Sequence, residues 1–104
     1  MASFKVEPSG DFVLMDIYPK TVFGGDTQKV NADGVLLWNV KTLMDSENGA
    51  ASFVNVVVPS KEKPKFGRTE RVNFKNLVLS YSKFDGETVV WLHADAVTGG
   101  GLND

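Results

Sequence analysis

Residues 71–97 read RVNFKNLVLSYSKFDGETVVWLHADAV. Two apolar, β-branched and aromatic runs flank Asp85-Gly86, a dipeptide that favours the tight turn of a β-hairpin. In the first arm Leu77, Leu79 and Tyr81 fall on one face, with Ser80 and Ser82 on the other. In the second, Val90, Leu92, Ala94 and Ala96 share one face, and Val89, Trp91, His93 and Asp95 share the opposite one. Period-two alternation marks strands with one face in a core and one toward water. Trp91 falls on the polar face, where a large apolar ring calls for a covering partner.

The same alternation recurs upstream. Residues 12–18 (FVLMDIY) read as a strand that ends at Pro19, which cannot donate to a ladder. Residues 35–44 (VLLWNVKTLM) and 51–58 (ASFVNVVV) read as two more, joined by a loop whose Asn48-Gly49 signals a hairpin. With 71–82 and 87–97 the strands number five. Residues 21–34 (TVFGGDTQKVNADG) form a long connection, either a functional loop or one with a short strand of its own. Residues 60–70 (SKEKPKFGRTE) are charge-rich, and Pro64 and Gly67 argue against a long helix there. Residues 1–11 read as a mobile leader or a short edge strand at 4–6, and residues 98–104 as a flexible tail. No segment sustains a 3.6-residue apolar period, so little helix is expected. Five strands are too few for an immunoglobulin-type sandwich. They suit a five-stranded antiparallel barrel, closed or partly open, over residues 12–97 of a single all-β domain.

Composition narrows the functional classes. The chain has 104 residues, no cysteine and a formal net charge of −2, so disulfides and thiolate chemistry are excluded. It has no apolar run near the roughly 20 residues of a membrane-spanning helix, and the stretch MASFKVEPSGD has no apolar run long enough for a signal peptide. A soluble cytoplasmic protein without membrane contact is the expectation. His93 is the one histidine, and no nucleophile-elbow pattern accompanies it. No metal-ligand spacing is present, and the glycine runs lack the lysine and helix of a phosphate loop. A binding protein with no cofactor is expected rather than an enzyme.

The order strand, long connection, strand-hairpin-strand, polar connector, strand-hairpin-strand resembles an OB-fold protein of the single-stranded DNA-binding type, over roughly residues 12–97. The segments LLWNVKTL (36–43) and VNFKNLVLSYSKFDGETVVWLHADAV (72–97) are also similar to small proteins of actinobacterial plasmids and integrative elements linked to replication and its control. The resemblance implies binding of single-stranded nucleic acid, DNA in the first place. Two departures limit it. The tail ends in GGGLND, without the aromatic tip of housekeeping single-strand-binding proteins, and the connector at 60–70 is a poor helix sequence.

Charge and aromatics supply the candidate site. Between Lys61 and Lys75, six basic residues face Glu62 and Glu70, a local charge of +4 that leaves −6 for the remainder. Cations that track phosphates, with rings that stack on bases, are what a single strand requires. The candidate phosphate contacts are Lys20, Lys29, Lys61, Lys63, Lys65, Arg68 and Arg71, with Phe66 interleaved. Alternatively the connector is a solvated loop with Phe66 tucked onto the barrel. By parity Tyr18, Phe53 and Trp91 are outward, with Asn55, His93 and Lys41 beside them, whereas Trp38 belongs to the core. Phe12 and Tyr81 fit either side, and the resemblance implies that Phe23 and Phe84 sit where OB-fold loops reach over a bound strand. A homodimer is expected alongside nucleic-acid binding, and the rival expectation is a protein-interaction or assembly module, without nucleic acid, whose aromatic face is a dimer or partner interface.

Overall fold

The computed structural model describes residues 2–6, 12–45 and 51–99. The side chains of Ala2, Asp45, Ala51 and Phe84 fall outside that description. Eight strands form one sheet: β1 (Ala2–Lys5), β2 (Phe12–Pro19), β3 (Leu37–Asp45), β4 (Ala51–Pro59), β5 (Arg71–Lys75), β6 (Val78–Phe84), β7 (Glu87–His93) and β8 (Ala96–Gly99). Their order is β1-β6-β7-β4-β3-β2-β5-β8, and the sheet curls into a half-barrel. No helix occurs among the described residues.

The all-β class matches the expectation, and the strand number does not. Where five strands were expected, two are divided and one is added. The added strand is β1, antiparallel to β6. Thr98 and Gly99, expected in a flexible tail, belong to β8. The hairpin expected at Asn48-Gly49 lies outside the described residues, although β3 and β4 pair antiparallel from Asp45↔Ala51 to Leu37↔Pro59.

Both divisions sit at one corner. A single register runs from Val72↔Gly99 through Val78↔His93 to Phe84↔Glu87, so residues 71–99 are one bent hairpin. Its tip is Asp85-Gly86, with φ of 51° and 80°, the pair of positive values a type I′ turn requires. At the bend Leu77 O accepts from Val6 N and Ala94 N donates to Val57 O, so these two opposed residues bond segments outside the hairpin rather than each other. Asn76 takes φ 53° and its Nδ2 donates to Asp95 Oδ2 at 2.6 Å, while Asp95 N donates to Lys75 O. Asparagine tolerates this left-handed backbone better than most side chains.

The bend lets one hairpin reach both sides of the β2–β3–β4 meander. Its lower half joins β2 through Phe12↔Val72 and Val13↔Arg71, antiparallel. Its upper half joins β4 through Val56↔Leu92 and Val57↔His93, parallel. Each seam is two register pairs wide.

The core lies on the concave side: Phe12, Leu14, Ile17, Trp38, Val40, Val56, Val58, Val72, Leu77 and Ala94. Phe74 meets Phe12 edge-on, at 5.0 Å between ring centres. Trp38, 8% exposed, donates from Nε1 to Ser60 O at 2.9 Å, as a buried indole must find an acceptor. A register shift between Leu14 and Asp16 makes Met15 the extra residue of a bulge. The bulge puts Leu14 and Ile17 on the same buried side, against simple alternation, and turns Asp16 and Tyr18 outward.

Candidate functional site

The convex face is assembled by register. Tyr18 lies opposite Asn39, Asn39 opposite Val57, and Val57 opposite His93, a row across four strands. The next rows are Asp16–Lys41–Asn55 and Val13–Leu43–Phe53, and Arg71 pairs with Val13 at the far end. Directly opposed residues point the same way, so Tyr18, Phe53, Arg71 and His93 share this face, with Trp91 two residues along from His93. Phe53 is 66% exposed and Tyr18 is exposed, whereas Trp91 is half-buried. Lys41 Nζ lies 5.0 Å from the centre of the Phe53 ring, a cation–π contact. Asn55 Nδ2 donates to Asn39 Oδ1 at 3.1 Å.

At the top of the face a groove of about 670 Å³ opens between the first connection and the hairpin. Lys20, Lys29 and Asn31 line one side, Leu37, Val57 and Pro59 the floor, and Val89, Trp91, His93 and Asp95 the other side. The connection is locally folded. Lys29 N donates to Lys20 O at 2.7 Å and Leu37 N donates to Lys29 O at 2.9 Å, which ties both lysines to the start of β3. Bridges at Thr21↔Gln28 and Val30↔Leu36 brace it. Asn31 Oδ1 accepts from the backbone N–H of Asp33 and Val35, closing the turn that Gly34 (φ 79°) completes. At the tip of this arm, Phe23 is fully exposed.

Beneath Trp91 and His93 the polar groups are paired. Ser80, opposite Trp91 in the ladder, is buried, and its Oγ lies 2.9 Å from both His93 Nε2 and Ser3 Oγ. The hydroxyl is thus shared between two partners within the sheet's edge region. The acidic member of the groove, Asp95, accepts from Asn76. No group of three or more acidic, histidine or cysteine side chains among the described residues is placed to hold a metal ion.

The basic connector, residues 60–70, is divided by its own alternation. Pro64 and Phe66 are half-buried and line a small cleft with Val58, Ala96 and Val97, while Lys61, Lys63 and Lys65 are exposed. Phe66 packs against the core cluster, so its ring is tucked onto the barrel and only partly exposed. Arg68 Nε donates to Met15 O at 3.1 Å, at the β2 bulge. Thr69 N donates to Leu14 O and Leu14 N to Glu70 O, which holds Thr69 at φ 66°, a strained value for a β-branched residue.

The structure thus gathers Lys20, Lys29 and Trp91 into one groove and puts Tyr18, Phe53 and Arg71 on the same face. Lys61, Lys63, Lys65 and Arg68 do not line that groove; the three lysines are exposed on the connector and Arg68 is held at the β2 bulge. Asn31 was missed as a groove residue because a turn residue carries no periodicity to read. Such a face can neutralise phosphates and stack rings. Comparison with protein-family models, curated proteins and solved structures finds no match.

Proposed function

We propose that this chain binds single-stranded nucleic acid, DNA in the first instance, along its convex face. The groove that combines Trp91 with Lys20 and Lys29 carries this reading. Bases stack on Trp91, Phe53 and Tyr18, and Lys20, Lys29, Lys41 and Arg71 follow the phosphates. A strand leaving the groove past Pro59 meets Lys61, Lys63 and Lys65, and Arg68 lies on the β2 side.

The topology supports the same reading. With β5–β6 and β7–β8 each counted as one bent strand, five strands follow one another in a cycle: β2, β3, β4, β7–β8, β5–β6, then β2 again. One contact, β4 with β7, is parallel. A five-stranded, partly open Greek-key barrel is the OB-fold arrangement, and such barrels bind oligonucleotides on the face of the second and third strands and the adjoining loops. Here those strands are β3 and β4.

Titration of a fluorescein-labelled oligo-dT, followed by anisotropy, tests the proposal. Binding should appear at low salt and fall as salt rises, with a log–log slope of about −2 to −3 for three or four phosphates released at roughly −0.7 each. Trp91→Ala should weaken it by about 1–3 kcal/mol, roughly 5- to 150-fold. No binding at low salt would sink the proposal.

A further inference from the structure

We infer that β1 is a self-pairing edge through which two copies of this chain join their sheets. The two edges of the sheet differ. Beside β8, the connector lays Pro64 and Phe66 against Ala96 and Val97. Along β1 no described segment lies outside Ala2–Lys5. An edge strand in unbroken register, without proline or bulge, is a template for a further strand.

The adjoining surface is apolar. Phe4 is 56% exposed and stacks on Tyr81, ring centres 5.8 Å apart and 11° from parallel. Val90, opposite Tyr81, is 54% exposed. These three form an uncovered apolar stripe at the edge, the kind of surface that marks an interface.

A second copy of β1 matches the hydrogen-bonding and side-chain pattern of this edge. Val6 N donates to Leu77 O. Since bonded pairs alternate in an antiparallel ladder, Phe4 also bonds toward β6, and the N–H and C=O of Ser3 and Lys5 point to the open side. An added strand must keep Phe4 on the apolar side and Ser3 on the Ser80 side, because a one-residue slip would reverse both. Of the antiparallel pairings of a second β1 that meet this condition, the one centred on Phe4 pairs all of residues 2–6 and keeps the two lysines apart. It sets Phe4 against Phe4 of the other copy as a non-hydrogen-bonded pair, Ser3 against Lys5, and Ala2 against Val6. Each lysine then faces a serine rather than its own copy. The pairing is two-fold and closes on itself. It leaves the Trp91 groove open, so it does not depend on the nucleic-acid reading.

The chain has no cysteine, so single-cysteine probes are unambiguous. A non-hydrogen-bonded antiparallel pair sets its Cα atoms about 4.5 Å apart, inside the roughly 4.4–6.8 Å window of a disulfide. Under mild oxidation without nucleic acid, Phe4→Cys should form a covalent dimer. Ser3→Cys and Lys5→Cys should each cross-link poorly alone and well when mixed. Lys5→Pro removes an outward N–H but none of the β1–β6 ladder, and it should abolish the concentration-dependent dimer in sedimentation velocity while circular dichroism is unchanged. Phe4→Cys that stays monomeric, equal cross-linking at all three positions, or a monomer to which an unrelated extended peptide adds would each overturn the inference.

Discussion

The two tryptophans sit on opposite faces of one sheet and behave as two kinds of residue. Trp38 points into the concave core and is held by Ser60 O; Trp91 points to the convex groove. Trp38→Phe keeps most of the buried area and leaves Ser60 O without its indole donor. It should cost about 1–2 kcal/mol in urea unfolding, with the remaining emission, from Trp91, red-shifted and more accessible to acrylamide. Emission as shielded as before would contradict the placement of Trp91. Alternation alone assigned both side chains, and it also turned Phe53 outward. Within β2 alternation is not enough. Tyr18 is outward as parity has it, but Leu14 and Ile17 reach the same buried side only with the bulge at Met15, and a bulge is decided by the partner strands rather than by the residues that form it.

The long hairpin was legible from its turn and its two faces, whereas its corner was not. Asn76 and Asp95 are ordinary polar residues within the periodic pattern, and only the need to serve two seams separates β5 from β6 and β7 from β8. Asn76 fills two roles, a left-handed backbone and a 2.6 Å bond to Asp95. Asn76→Gly retains the first and loses the second. Asn76→Val loses both. We expect a loss of about 1 kcal/mol for glycine and about 2–3 kcal/mol for valine, measured by chemical denaturation. Equal losses would mean that the backbone conformation is not what the position demands. The basic connector shows the same limit. Its charge was visible in the sequence, but Phe66 could not be assigned until the cleft lined by Val58, Ala96 and Val97 existed to receive it.

At the scale of the molecule, the meander and the hairpin are each paired along most of their length, and they meet at two narrow seams. Stability is therefore uneven. Amides of β3, which has a partner on both sides, should exchange slowest with solvent, and those bonding across β2–β5 and β4–β7 should exchange sooner, at free energies below that of global unfolding. Uniform protection across seams and ladders would show a single cooperative unit instead. The barrel class was readable from five alternating runs. How it closes was not, because closure rests on four register pairs between segments far apart in the chain.

The continuous register of the bent hairpin also bears on the order in which the chain can fold. Residues 71–99 can zip from the Asp85-Gly86 turn without help from the rest, and residues 12–59 hold a meander of neighbouring strands. Both halves form on sequence-local contacts, which are fast. The loop-closure entropy of joining distant segments is concentrated in one late docking step, when the corner at Asn76 and Asp95 has already given the hairpin the bend that reaches both seams.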